Sequence, residues 1–440
     1  MANDKDFVVN GPVVVGKDTK VTVGTVTSGA VDLSTGNYFT DSPSGDYTYS
    51  FTNPGSVQAF QIEATGGSAA VASTFSTTLY TGNATSQTIT NGLDLSTDGG
   101  LVWIKRRDGS ASHALMDTER GVQRLLSSDT SDVQALTSCV PAFNTDGFDL
   151  GSSGLVNEGS WTYASWTFKK KTKFFDIVTW TGDDTLNRQI SHSLNTTIGS
   201  IFVKCTSTAG TDWMVYHKDC TETSTQSNSL ILNLTYAQLD WRAFGKHSTQ
   251  TSSVFTLGSE AANRAFFNAS GATYIAYLFA HDTASDGLIQ CGSYTGNGAA
   301  TGVLQNLGWQ PQWLLIKNTD LATEGWHIVD SVRGVVTGGN DPHLSANTAN
   351  AELSHEIVEF NPTGFTPMSV DDKTNGSGHS YIYVAIRSAS APAITWPTSI
   401  EWTQGTTPKT PAEGATDVYT FTTDDGGTTY TGIQSIDTAS

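Results

Sequence analysis

Few residues in this 440-residue chain have the types and spacing that chemistry requires. His355-Glu356 begins like a zinc-protease motif, but the second histidine of that motif is missing and the surroundings read as strand. Asp371-Asp372-Lys373-Thr374-Asn375-Gly376 begins like a calcium loop, yet Lys373 interrupts the oxygen ligands and no distal glutamate closes it. A polar turn is the plainer reading. There is no Gly-x-Ser-x-Gly nucleophile turn and no phosphate-binding glycine loop. The cysteines Cys139, Cys205, Cys220 and Cys291 include no Cys-x-x-Cys pair, so a zinc site is not expected. Free buried thiols are the expectation, with a Cys205–Cys220 disulfide as the alternative. The reading is therefore no catalytic residue, no metal ligand and no cofactor. Carboxylates distant in sequence can still meet in a fold, which keeps glycan hydrolysis as an alternative.

Aromatic rings are the better ligand candidates, because an exposed ring can lie against the apolar face of a sugar. Trp161, Trp241 and Trp326 stand among polar residues and are the three candidates. Trp326 precedes His327 on a strand, so the two side chains point to opposite faces. Trp103, Trp166 and Trp313 sit inside the strongest apolar runs and read as core.

These residues are carried by elements that occur three times. The first copy opens at Tyr80-Thr81-Gly82-Asn83 and reaches Val102-Trp103-Ile104-Lys105. The second opens at Trp180-Thr181-Gly182-Asp183 and reaches Ile201-Phe202-Val203-Lys204. The third opens at Tyr294-Thr295-Gly296-Asn297 and reaches Leu314-Leu315-Ile316-Lys317. Aromatic and lysine are 25, 24 and 23 residues apart, and the openings are separated by 100 and 114 residues, so the repeat is domain-sized. A second short strand follows in each copy, starting at His113, Trp213 and Trp326. Asp117 with Arg120-Gly121 and Asp330 with Arg333-Gly334 recur beyond it, whereas the second copy has His217-Lys218-Asp219. A fold-defining turn or ion pair is the expected reason for that recurrence. A Phe-x-x-x-Gly-Phe turn appears at 143–148 and 360–365, and each copy closes on an aromatic strand beginning at Tyr163, Tyr274 or Tyr381.

Short apolar runs rich in β-branched and aromatic residues, separated by Ser, Thr, Asn, Asp and Gly, predict strands and turns. Only 118–126 and 236–244 have the pattern of short helices. The expected fold is all-β, with β-sandwich or jelly-roll-like modules of about 100 residues. A net charge of −19 argues against nucleic acid as a partner. The cluster Lys169-Lys170-Lys171 reads as a solvated linker. No apolar run is long enough to span a membrane, and the N-terminus does not read as a signal peptide.

The two ends carry a different pattern. Tyr47, Tyr49 and Phe51 alternate, as do Phe60 and Ile62, which predicts antiparallel strands with one buried face. Asp425-Gly426 between alternating runs predicts a hairpin. The stretches Asp32-Leu33-Ser34-Thr35-Gly36-Asn37-Tyr38-Phe39 and Ile394-Thr395-Trp396-Pro397-Thr398-Ser399-Ile400-Glu401-Trp402 resemble halves of one small β-domain of phage tail-fibre and related virion proteins, notably those of marine phages. The copies, with Tyr-Thr-Gly-Asn and Leu101-Val102-Trp103-Ile104-Lys105-Arg106-Arg107-Asp108, resemble modules of the same group.

The resemblance implies a split host domain, 31–66 plus 389–440, with the repeats at 75–172, 173–284 and 285–388 inserted in it, and an attachment and oligomerisation segment at 1–30. It implies a virion structural protein, assembled in the host cytoplasm, that acts as a tail fibre or adhesin. Expected partners are itself as a homotrimer, other virion or tail proteins through 1–30, and a host cell-surface glycan or protein, with no membrane insertion. A decoration protein without receptor binding and a surface-glycan depolymerase are the alternatives.

Overall fold

The computed structural model describes residues 23–27, 30–41, 47–53, 59–65, 71–284, 286–335, 338–388, 394–403, 405, 407–408, 416–425 and 427–436. Most of the 1–30 segment expected to serve attachment and oligomerisation, residues 1–22 and 28–29, and the junctions 66–70 and 389–393 lie outside them. Among the described residues the regular secondary structure is nearly all strand, with one short α-helix, Gly154–Asn157, and 3₁₀ turns at His247–Thr249 and Ala261–Phe266. It is an all-β protein of many separate sheets. No helix among the described residues is long and apolar enough to cross a membrane. The chain divides into two compact units: Met1–Ala69 with Ser390–Ser440, and Ala70–Ala389.

The unit made from the two chain ends holds an eight-stranded sheet. Ala59–Thr65 pairs antiparallel with Thr416–Thr422, and Phe60 stacks on Phe421 with ring centroids 4.9 Å apart. Tyr49 stacks on Trp396 at 4.7 Å. Phe39, Tyr49, Ile62, Trp396 and Tyr419 thus share one core drawn from both ends. The expected antiparallel pairing among the early strands is corrected. Tyr38–Asp41 pairs parallel with Ala59–Thr65 and with Val23–Thr27, and Ala30–Asp32 pairs parallel with Ser50–Thr52. Alternation fixes which face is buried, and it does not fix strand direction. The hairpin expected near Asp425 joins Thr416–Thr422 to Tyr430–Ile436 in antiparallel register.

In the larger unit each repeat is a sandwich. Its main sheet keeps one strand order in all three copies: opening strand, closing strand, lysine strand, following strand. In the first these are Phe75–Thr81, Thr162–Lys169, Gly100–Arg106 and Ala114–Asp117. In the second they are Phe175–Thr181, Thr273–Ala280, Ile198–Cys205 and Met214–His217, and in the third Ile289–Thr295, Ser380–Arg387, Pro311–Asn318 and Trp326–Asp330. The second and third copies extend this sheet to six strands. A smaller sheet covers one face, as the hairpin Ala142–Asn144 and Gly147–Leu150 with Gln87–Ile89 does in the first copy. Phe148, Ile104 and Tyr163 meet in the core between them, as Phe365, Ile316 and Tyr381 do in the third copy.

The other face of each main sheet packs on the neighbouring repeats. Phe168 contacts Phe279 of the second copy and Trp313 of the third, both at 5.6 Å. Both faces are dry, so every residue of Ile198–Cys205 and Pro311–Asn318 is buried and the runs are continuous rather than alternating.

Neither expected short helix forms. Residues 118–126 hold a turn and the strand Arg124–Leu125, because the Asp117–Arg120 pair and Gly121 at φ +87° reverse the chain. In 236–244 the strand Leu239–Gly245 forms instead, with Arg242 at φ +52° outside helical space. All four cysteines are free and buried, so the Cys205–Cys220 alternative does not hold.

Candidate functional site

The opening motif builds a corner. Its aromatic stacks on the first tyrosine of the closing strand in every copy: Tyr80 on Tyr163 at 5.1 Å, Trp180 on Tyr274 at 5.4 Å, and Tyr294 on Tyr381 at 4.9 Å. A Cβ on the motif glycine would lie 2.1 Å from Glu158 O at Gly82, 2.0 Å from Ala269 O at Gly182 and 2.3 Å from Gly376 O at Gly296, so only glycine fits. A buried asparagine locks the corner. Asn157 accepts from Asn83 N, Asn268 from Asp183 N and Asn375 from Asn297 N, and each side-chain amide donates back to the motif side chain. Sequence reasoning missed these asparagines. Their signal was a constant step of six residues before the tyrosine of the closing strand.

The recurrent polar side chains join the repeats to one another. Lys105 Nζ donates to Ala349 O of the third repeat at 3.2 Å, Lys204 Nζ to Ser131 O of the first at 3.3 Å, and Lys317 Nζ to Thr235 O of the second at 3.2 Å. Burial holds all three amines down to about 8. At the start of the following strand, Trp213 Nε1 donates to Ser127 O at 2.8 Å and Trp326 Nε1 to Ile231 O at 3.0 Å. The first copy has His113 there, with Nε2 3.0 Å from Ser345 O and Nδ1 accepting from Trp103 Nε1.

A third set uses the end of that strand. Tyr277 OH donates to Asp117 Oδ2 at 2.8 Å, and Trp166 Nε1 to Asp330 Oδ2 at 2.9 Å. Arg120 and Arg333 hold their aspartates at 2.5 Å and 2.6 Å. Between the second and third copies the closing strand carries Val384 instead of a polar ring, and the aspartate is replaced by His217, 3.1 Å from Tyr383 O. The drift of the second repeat is thus matched by a change in its neighbour. Each set joins the first repeat to the second, the second to the third and the third to the first, so the three sandwiches close into a ring.

Of the three candidate tryptophans, Trp326 is corrected. It is 2% exposed and seals a junction, so no ligand can reach its ring. Trp161 is half-buried against the first core, with the guanidinium of Arg106 3.3 Å from its ring centroid. That cation occupies the face a sugar would use. Trp241 is half-buried beside Phe266, its indole nitrogen buried and without a partner. The structure does not bring the three together. Asp371 accepts from the backbone and the side chain of Lys373 and so forms a local turn. Among the described residues no group of three metal-binding side chains is placed to hold an ion.

One family described as a domain of unknown function, DUF7483, matches residues 71–390. That span is the larger compact unit almost to the residue. The chain belongs to the DUF7483 family. None of the curated proteins matches it.

The ring gives the DUF7483 domain three related junctions with different polar contents. Between the third and first repeats, Glu352 accepts two bonds from Arg107, at 3.0 Å and 2.8 Å, and one from Arg333 Nη1 at 3.2 Å. Between the second and third, Cys220 and Gln238 stand at the positions of Arg333 and Glu352, and Gln238 Oε1 accepts from Thr221 N at 2.8 Å. Between the first and second, Arg120 Nη1 faces Gln134 Oε1 at 3.4 Å. An open cleft of about 430 Å³ lies here, lined by Arg120, Arg124, Gln134, the threonines 179, 181, 206 and 273, and the buried Trp180 and Tyr274.

Proposed function

We propose that the chain is a virion fibre or adhesin protein that attaches to a host-surface glycan through the DUF7483 domain. The observation that supports this reading is the use made of the recurrent side chains. The repeated lysines, the Asp–Arg pairs and the ring nitrogens are spent on closing the ring. What three copies keep in common is therefore a scaffold, and recognition falls to the places where the copies differ, as it does when loops on a rigid frame carry binding. The polar contents of the three junctions differ in this way.

Homotrimer formation through the N-terminal segment would multiply weak sites into avid attachment. The decoration reading would need those same junctions to face other virion proteins. Immunogold labelling of particles with an antibody to the full chain tests the proposal: label at the tail fibres or tail tip is expected, and label spread over the capsid overturns it in favour of decoration.

A further inference from the structure

We propose that the cleft between the first and second repeats binds the carboxylate of an acidic sugar. This rests on the glycan-attachment reading and narrows it to a ligand class. The warrant is a comparison inside the molecule. Arg120 and Arg333 are the same residue of the repeat, three places after the aspartate each one holds. Gln134 and Glu352 are also equivalent, since Gln134 N donates to Thr206 O and Glu352 N to Arg107 O, two residues beyond the repeat lysine in both cases.

At the third-to-first junction the Glu352 carboxylate bridges two guanidinium groups, those of Arg333 and Arg107, and the four charges of Asp330, Arg333, Arg107 and Glu352 cancel. At the first-to-second junction the carboxylate is gone. Gln134 leaves Arg120 Nη1 with a long bond of 3.4 Å, and a second guanidinium, that of Arg124, lines the same cleft. Arg124 is exposed and has no ion pair among the described residues. Among the described residues no acidic side chain lines the cleft. Asp117 balances Arg120, so one positive charge remains uncompensated, in a chain whose net charge is −19. A planar anion is what the equivalent junction supplies from within, and guanidinium pairs suit planar carboxylates.

The rest of the lining argues for a sugar as the carrier of that carboxylate. The exposed Thr179 and Thr181 and the half-buried Gln134 offer hydroxyl and amide partners, while the aromatic residues of the lining, Trp180 and Tyr274, are almost fully covered and offer no deep apolar slot. The volume of about 430 Å³ lies within the range of small-ligand sites.

Calorimetric titration of the full chain with glucuronate, galacturonate and N-acetylneuraminate, against glucose and glucose 6-sulfate, tests this. The acidic sugars are expected to bind at least about tenfold more tightly than glucose, the worth of one charge-assisted hydrogen bond. Gln134→Glu rebuilds the internal carboxylate and should cost about tenfold in affinity with no loss of thermal stability. Arg124→Gln should do the same by removing the free cation. Equal binding of glucose, preference for the sulfate ester, or full affinity in Gln134→Glu overturns the proposal. A chain that is retained on surface glycans yet ignores every acidic sugar sinks the cleft and leaves the attachment reading standing. Acidic-sugar binding lost in Gln134→Glu, with no retention on any surface glycan, upholds the cleft and sinks attachment.

Discussion

The hydroxyl of Tyr277 lies 2.8 Å from the carboxylate of Asp117, a residue 160 positions earlier and in another repeat. Arg120 Nη2 reaches the same hydroxyl at 3.2 Å, so a buried triad ties the second repeat to the first. Its counterpart ties the third to the first through Trp166 and Asp330. Removing the hydroxyl leaves a buried carboxylate oxygen one donor short. Tyr277→Phe should therefore cost about 1–3 kcal/mol, read as a lower urea midpoint with unchanged slope. A change too small to measure would mean that the junction does not hold the repeats together.

The opening glycines make a second prediction. Gly296→Ala places a methyl group 2.3 Å from Gly376 O, and backbone must move to admit it. The expected cost is about 2–3 kcal/mol. Gly308→Ala is the control: its φ is +80° but nothing lies within 4 Å, so it carries only the backbone penalty, about 1 kcal/mol. Thermal melts of the two variants should differ in that order, and equal losses would contradict the packed corner.

Acid should destabilise the domain before its carboxylates titrate. Burial lowers His113 and His327 to about 3 and His343 to about 4, and it also lowers His217. His113 Nδ1 already accepts from Trp103, and both ring nitrogens of His327 are buried without a partner. Above the usual histidine range both states are neutral and the full stability is present. As pH falls through about 6.5 the unfolded chain takes up protons that the folded chain refuses, so stability drops until the folded values are reached. Each histidine should cost about 2 kcal/mol between pH 7.5 and 5. Urea midpoints followed across that range check the slope, and a flat profile would show that these rings protonate freely in the fold.

The strands and the three copies were legible because they rest on spacing within one copy, whereas the stacking of each opening aromatic on its closing tyrosine needed the paired strands to be seen. The partners at the junctions were not. A sequence shows that Lys105, Lys204 and Lys317 are equivalent, but it does not show that each reaches into a different copy. Trp326 misled for the same reason: its polar neighbours suggested exposure, while its strand is covered on both faces. The parallel pairing of Tyr38–Asp41 with Ala59–Thr65 was hidden because alternation is the same in either direction. The cleft between the first and second repeats depends on comparing Gln134 with Glu352, and their equivalence appears only once their backbone partners are known.

Host-surface attachment is tested most directly by retention of the full chain on immobilised bacterial polysaccharides and lipopolysaccharides, with reducing ends assayed in the eluate. The expected result is salt-sensitive retention on a subset of acidic glycans with no release of reducing sugar. Absence of retention on every glycan would contradict attachment, and release of reducing ends would replace it with depolymerisation.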